Sequence, residues 1–255
     1  MLPVSGLLLA VRGPSSDDEL MVLETDAPPP LAVIELGRRV ARNVDGSDLD
    51  WDGLPASDAA AVALTIRQAW MGDLLTTASS CDAAACGERV DVSFHIAAYL
   101  EHHRPEVPGG VSSAREPGWF ALDGSEARFR IPTVGDLVTA LSGPDSPSAL
   151  MDACIVPSSL SPAEVEQVDA ALAALAPTLD GMVEGVCPRC GATLQLRFDP
   201  CSYVLAELRD LFAGIYYEIH LLARSHGWSE HDILVMPRSR RIHYAHLAAA
   251  DKAGV

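Results

Sequence analysis

Strict alternation of apolar and polar positions occurs in only a few places along this chain, and those places predict its strands. V-D-V-S-F, Val90 to Phe94, and L-Q-L-R-F, Leu194 to Phe198, each gather their apolar side chains on one face. Val4 to Val11 and Glu19 to Thr25 are expected to pair as strands across the polar turn GPSSDD. Met182 to Val186 reads as a further strand, and Trp119 to Leu122 and Ala127 to Ile131 as short ones. Elsewhere the spacing is helical. Leu31 to Arg42 forms a short helix after the stiff connector APPPLAV. Val62, Ile66, Ala69, Trp70 and Leu74 set the face of a helix over Ser57 to Thr77, capped by Ser57 or Asp58. A helix after Val90–Phe94 ends near His102, and Thr133 opens another, TVGDLVTAL, with Asp136 near its N-terminus. Ser161, Pro162 and Glu164 make a capping box for a helix reaching Leu175. The longest helix runs from Cys201 to His226 and stops at Gly227. Ser229 and Asp232 start a short one, and Pro237 opens the last, Arg238 to Ala250. Residues 103 to 130, rich in proline and glycine, read as a loop or irregular insert. The fold class is α+β, mostly helical, with a strand-bearing lead-in over residues 1–54 and one larger domain over 55–255.

The cysteines change this picture. Cys187 and Cys190 form a C-x-x-C-G pair, half of a metal site, and Cys81 and Cys86 form a second close pair. The residues downstream of the two pairs match: Cys86, Gly87, Phe94 and Tyr99 fall at the same offsets as Cys190, Gly191, Phe198 and Tyr203. Val90 and Val92 answer Leu194 and Leu196. This is an internal repeat of knuckle, strand and helix. A glycine after the second cysteine suits the tight turn of a knuckle. Two knuckles with two thiolates each would complete a zinc-ribbon-like tetrahedral site of Cys81, Cys86, Cys187 and Cys190 around one structural zinc. The spacing of about a hundred residues between halves is wider than in compact zinc ribbons. Cys154 and Cys201 fall outside the repeat and read as core residues.

Composition narrows the function. The chain has 255 residues, 49% of them hydrophobic, enough for a sizeable core. With 35 acidic against 18 basic side chains, its charge of −17 disfavours a general binder of nucleic acid or anionic membrane. MLPVSGLLLAVRG lacks the charged n-region and cleavage site of a secretory signal, and no segment is long enough to span a bilayer, so a cytoplasmic location is expected. Asp48, Asp50, Asp52 and Gly53 follow the order of a calcium loop, but its twelfth position is Ala59 where a bidentate Glu is needed. His243 and His246 lie three apart on one helix face without a recognised metal motif. No nucleophile elbow, phosphate loop or dinucleotide fingerprint occurs, and a non-enzymatic role is expected. The tail from Leu222, with its helix–turn–helix order and Arg238, Arg240 and Arg241, keeps a zinc-containing DNA-binding regulator as the alternative.

From about Leu54 to Ala250 the chain resembles the baseplate hub assembly chaperones of contractile-tailed phages and of phage-derived contractile injection systems. The features that carry the resemblance come in order: AWMGDLL, CGERVDVSF, RIPTVGDLVTAL, CPRCGATLQLRFDP, and the tail EIHLLARSHGWSEHDILVMPRSRRIHYAHL. Residues 1–54 are not covered. The resemblance implies an assembly factor or structural component of the baseplate or hub, with hub, spike or other baseplate proteins as partners and no catalytic residues. It leaves open whether the protein stays in the particle. The expected partner surface is the C-terminal helices, with Trp228 as anchor and Arg238, Arg240 and Arg241 meeting an acidic patch.

Overall fold

The computed structural model describes residues 1–83, 86–142, 150, 153–157 and 159–253. Its centre is α3 (Ala56–Met71), which buries residues on nearly every side, from Ala59 and Ala61 to Leu64 and Ile66. A helix covered all round needs no polar face. Against it pack α2 (Pro29–Val40) and α7 (Pro200–Phe212), with α1 (Ser16–Glu24) beside them. Leu2, Val22, Leu36 and Trp51 share one core with Ile66, Leu208 and Phe212, so the boundary expected near residue 54 falls inside a common core. Gly37 makes the contact between α2 and Trp51 possible, because a Cβ there would sit 2.4 Å from the Trp51 ring.

The N-terminal strand pairing differs from expectation. β1 (Leu9–Val11) pairs antiparallel with β2 (Ala41–Asn43), not with residues 19–25, which lie in α1 and its C-cap. The turn GPSSDD is in fact a helix start. Ser15 accepts a hydrogen bond from the Asp18 N–H, Asp18 accepts one from the Ser15 N–H at 2.8 Å, and Asp17, Asp18 and Glu19 occupy the positive end of the helix dipole. Neither Ser57 nor Asp58 caps α3; Pro55 stands at that position. Asp58 is fully buried and instead accepts the N–H groups of Val4 at 3.0 Å and Ser5 at 2.8 Å, tying the first residues to the core helix.

Helix α3 also ends sooner than its apolar spacing predicts. Gly72, at φ +92°, terminates it, and Leu74–Ser80 form β3. β3 pairs antiparallel with β4 (Arg89–His95), which leads into α4 (Ile96–His102). Between β4 and the second repeat lies a four-stranded antiparallel sheet, three of whose strands come from the proline-rich insert. Its order is β5 (Val111–Ser113), β6 (Trp119–Leu122), β7 (Arg128–Arg130), β8 (Ile155–Val156). Leu122, Ala127 and Phe129 of this sheet region pack on Val168, Ala171 and Leu175 of α6 (Pro162–Leu175). Helix α5 (Val134–Ser142) starts with a reciprocal pair: Thr133 Oγ1 accepts from the Asp136 N–H, and Asp136 from the Thr133 N–H. Ser161 and Glu164 cap α6 in the same way, as expected.

The second repeat supplies β9 (Gly181–Val186) and β10 (Thr193–Phe198), again an antiparallel hairpin, and then α7. The long helix expected over Cys201–His226 is two: α7 ends at Phe212, and α8 (Ile215–His226) begins after Ala213–Gly214. With α9 (Glu230–Leu234) and α10 (Arg238–Ala253), α8 encloses a small separate core of Leu221, Leu222, Ile233, Ala245 and Ala248, with Trp228 and Tyr244 at its margin.

Candidate metal centre

Each repeat is a β-hairpin whose turn is a cysteine knuckle. Cys81 and Cys86 lie between β3 and β4, and Cys187 and Cys190 between β9 and β10. The backbone of each knuckle closes the same way. The Cys81 N–H donates to Glu88 O at 2.8 Å, and the Cys187 N–H to Ala192 O at 2.9 Å, positions equivalent in the repeat. Gly87 (φ +58°) and Gly191 (φ +73°) take the left-handed conformation that a side chain disfavours, which explains why glycine comes after the second cysteine in both copies. The repeat unit is therefore strand, knuckle, strand and helix. The first strand of the first copy, β3, is the piece that the sequence pattern assigned to a helix.

The two hairpins meet tip to tip. The four sulfurs of Cys81, Cys86, Cys187 and Cys190 all lie within 4.8 Å of one another. Cys81 Sγ and Cys190 Sγ are 3.6 Å apart, and Cys86 Sγ and Cys187 Sγ 3.8 Å. Four sulfurs placed tetrahedrally at about 2.3 Å from one ion are spaced about 3.8 Å apart. Two of the sulfur pairs stand at that spacing, and the four thiols together are close enough to hold a single metal ion. Val90 and Leu194, matched in the repeat, are buried beneath the sulfurs. Cys81 and Cys187 are buried, Cys86 is half-buried and Cys190 is exposed. Arg189 and Glu88 form an ion pair at 2.9 Å between the two knuckles.

The thiols differ electrostatically. The N–H of Cys190, with further help from that of Arg189, holds the Cys187 thiol down at about 7. For Cys81 the Ala83 N–H pulls downward, but lost hydration and the neighbouring thiols outweigh it and push the group up to about 12. A cluster that must lose several protons to become four thiolates is stabilised as such by a cation in its midst.

Below the sulfurs an aromatic cluster joins the repeats. Phe94 and Phe198, equivalent residues, meet edge to face at 5.2 Å, and Tyr99 packs on both. The equivalent tyrosines reach across in opposite directions. Tyr99 OH donates to Leu179 O, next to the second hairpin, and Tyr203 OH donates to Thr76 O in the first, at 2.7 and 2.6 Å. The sequence marks these four aromatics as a repeat, yet their hydroxyl partners are backbone carbonyls and carry no side-chain signature.

The other candidate residues do not gather into a site. Among the described residues, the four cysteines are the one group of metal-ligating side chains close enough to hold an ion. The carboxylates of residues 48–52 are dispersed: Asp48 pairs with Arg42, Asp52 with Arg38, and Asp50 accepts from the Gly53 N–H. Cys154 and Cys201 are buried away from the cluster, as expected of core residues. The C-terminal arginines are not one surface. Arg241 is wholly buried, bound to Glu19 at 2.5 Å, to Glu218 at 2.7 Å and to Ser16 Oγ. Arg238 lies over the Phe212 ring, donates to Leu211 O and faces Glu19 at 3.6 Å. Arg240 alone of the three is exposed, and Trp228 is half-buried between His226 and Tyr244. Among the described residues no helix is long and apolar enough to cross a membrane. Compared with family models, curated proteins and solved structures, the chain matches none of them.

Proposed function

We propose that this chain is a non-enzymatic assembly factor or structural component of the baseplate or hub of a contractile tail or injection system, built around one structural zinc. The observation that carries the metal part is the set of four cysteine sulfurs gathered within 4.8 Å of one another. Four thiolates leave no coordination position for water or substrate, which supports a structural centre over a catalytic one. Zinc and iron both accept four thiolates; zinc, without redox chemistry, suits a centre whose work is to hold two hairpins together. The ordered stretches from AWMGDLL to the arginine-rich tail support the assembly part.

The placement of the arginines bears on the alternative. A regulator that grips DNA through the last helix needs Arg238, Arg240 and Arg241 free for phosphates. Arg241 and Arg238 are instead engaged by Glu19, which counts against DNA binding through this helix and leaves only Arg240 of the three for a partner. The partner surface is then the exposed side of the C-terminal helices around Arg240 and the half-buried Trp228. The test is a nuclease-treated pull-down of the tagged protein from its native cell, with elemental analysis of the purified chain. Tube, spike or baseplate proteins in the eluate, with about one zinc per chain, are the expected result. Polymerase subunits, or no tail proteins from cells making tails, would overturn the assembly reading.

A further inference from the structure

The metal centre has a second chemistry written into its geometry, and it rests on the reading of the four cysteines as one metal site. Two sulfur pairs at 3.6 and 3.8 Å, Cys81–Cys190 and Cys86–Cys187, each join one hairpin to the other. Three sulfurs are wholly or partly shielded, while Cys190 stands exposed at the rim. Oxidant reaches an exposed thiolate first. The hairpins also have holding points that do not involve the metal: the Phe94–Phe198 contact, the two crossed tyrosine hydrogen bonds and the Glu88–Arg189 ion pair. Loss of the ion therefore leaves the sulfurs facing the same partners.

We infer that the centre is an oxidation-responsive staple, in which a peroxide converts the four thiolates into the disulfides Cys81–Cys190 and Cys86–Cys187 and covalent bonds replace the metal. Peroxide oxidises the Cys190 sulfur to a sulfenic acid, releasing one oxygen as water after protonation. The Cys81 sulfur then attacks the Cys190 sulfur, a second water leaves, and the S–S bond forms. Cys86 and Cys187 react in the same way with a second peroxide. In total four thiolates, two peroxides and four protons give two disulfides and four waters, and the metal departs as the divalent ion with its charge unchanged. Each bond would bridge positions 109 or 101 residues apart in the chain. Crosslinks of that length restrict the unfolded chain strongly, so the oxidised protein keeps its hairpins joined. A disulfide within one knuckle would do the opposite, consuming the ligands and leaving the hairpins without a staple.

The experiment titrates hydrogen peroxide into the full-length, metal-loaded protein. Metal release is tracked with a chromogenic chelator, and disulfides are mapped by mass spectrometry of non-reduced peptides. The expected result is release of the metal in step with thiol loss, peptides linking Cys81 to Cys190 and Cys86 to Cys187, and recovery of the metal site on adding dithiothreitol and zinc. Links of Cys187 to Cys190 or Cys81 to Cys86, links to Cys154 or Cys201, or sulfinic and sulfonic acids without disulfides would each overturn the inference. If the purified chain carries no metal, the metal reading fails by itself, and the same map on the metal-free chain still judges the pairing.

Discussion

Replacing Arg241 by methionine is the most severe single test of how the C-terminal helices are attached. Its guanidinium is the cation at the centre of a buried cluster, where it meets Glu19 from α1 and Glu218 from α8. Glu19 is 1% exposed and Glu218 15%, so neither can recover its hydration when the guanidinium is removed. Breaking a buried pair from one side costs about 3–5 kcal/mol. In a chain of this size that corresponds to a fall of about 6–20 °C in the unfolding midpoint. Burial already pushes the Glu19 carboxyl above its ordinary range, with Arg241 and then Arg238 pulling it back. Without Arg241 the Glu19 carboxyl rises further. A group with a raised folded value keeps its stability below the unfolded value and loses it as pH rises through the folded value. The defect in Arg241→Met is therefore largest at neutral pH and shrinks on acidification toward the ordinary glutamate range. A second change, Glu19→Leu, removes the more deeply buried of the two stranded charges and is expected to recover part of the loss, Glu218 remaining without its partner. Urea unfolding by circular dichroism, at several pH values and for the single and double variants, gives each number. A cost below about 1 kcal/mol for Arg241→Met, or a defect independent of pH, would refute the reasoning.

Further outcomes are expected. On the proposed metal reading, Cys187→Ser removes a buried ligand, so the metal content of the purified protein falls well below one equivalent and the unfolding midpoint drops, as read by elemental analysis and a thermal melt; in the wild type, metal affinity falls as the pH is lowered and thiolates take up protons. Tyr99→Phe and Tyr203→Phe each remove one crossing hydrogen bond and cost about 1 kcal/mol, whereas Phe198→Ala opens the aromatic cluster and costs about 3–5 kcal/mol by chemical unfolding. Acid stability depends on Asp136, whose carboxyl Arg130 holds down at about 2 from an ordinary 3.8. A depressed folded value contributes stability above pH 3.8 that is lost as pH falls toward 2, and Asp136→Asn is expected to flatten the unfolding curve across that window.

Much of the centre was legible because its signals are local. A knuckle needs two cysteines and a glycine at positive φ within a few residues, so both copies show in the chain, together with the alternation of the strand after each. The matching phenylalanine and tyrosine of each copy mark the residues that pack together in the fold. The illegible parts are equally specific. The run from Ser57 to Thr77 keeps helical apolar spacing past Met71, and only Gly72 and the pairing of Leu74–Ser80 with β4 divide it into helix and strand. Residues 4–11 and 19–25 have strand-like composition, but the reciprocal hydrogen bonds of Ser15 and Asp18 and three acids at a helix start favour α1. The arginines of the last helix look like a charged face, and nothing nearby in the chain shows that Glu19, more than two hundred residues earlier, engages two of them.

Short-range pattern was enough to reveal the two cysteine pairs, the repeat that presents them, the α+β class and the helix starts at Thr133, Ser161 and Ser229, because each depends on side chains within a turn or two of one another. Long-range packing alone set the rest. It brings the two hairpins tip to tip, carries Tyr99 and Tyr203 to backbone carbonyls across the repeat, draws the first 54 residues into the central core, and makes Arg241 an internal anchor rather than a surface group. Those features depend on contacts between distant segments. They are set by which apolar faces bury one another, and by where a buried charge finds its partner, and neither leaves a pattern in a short window of the chain.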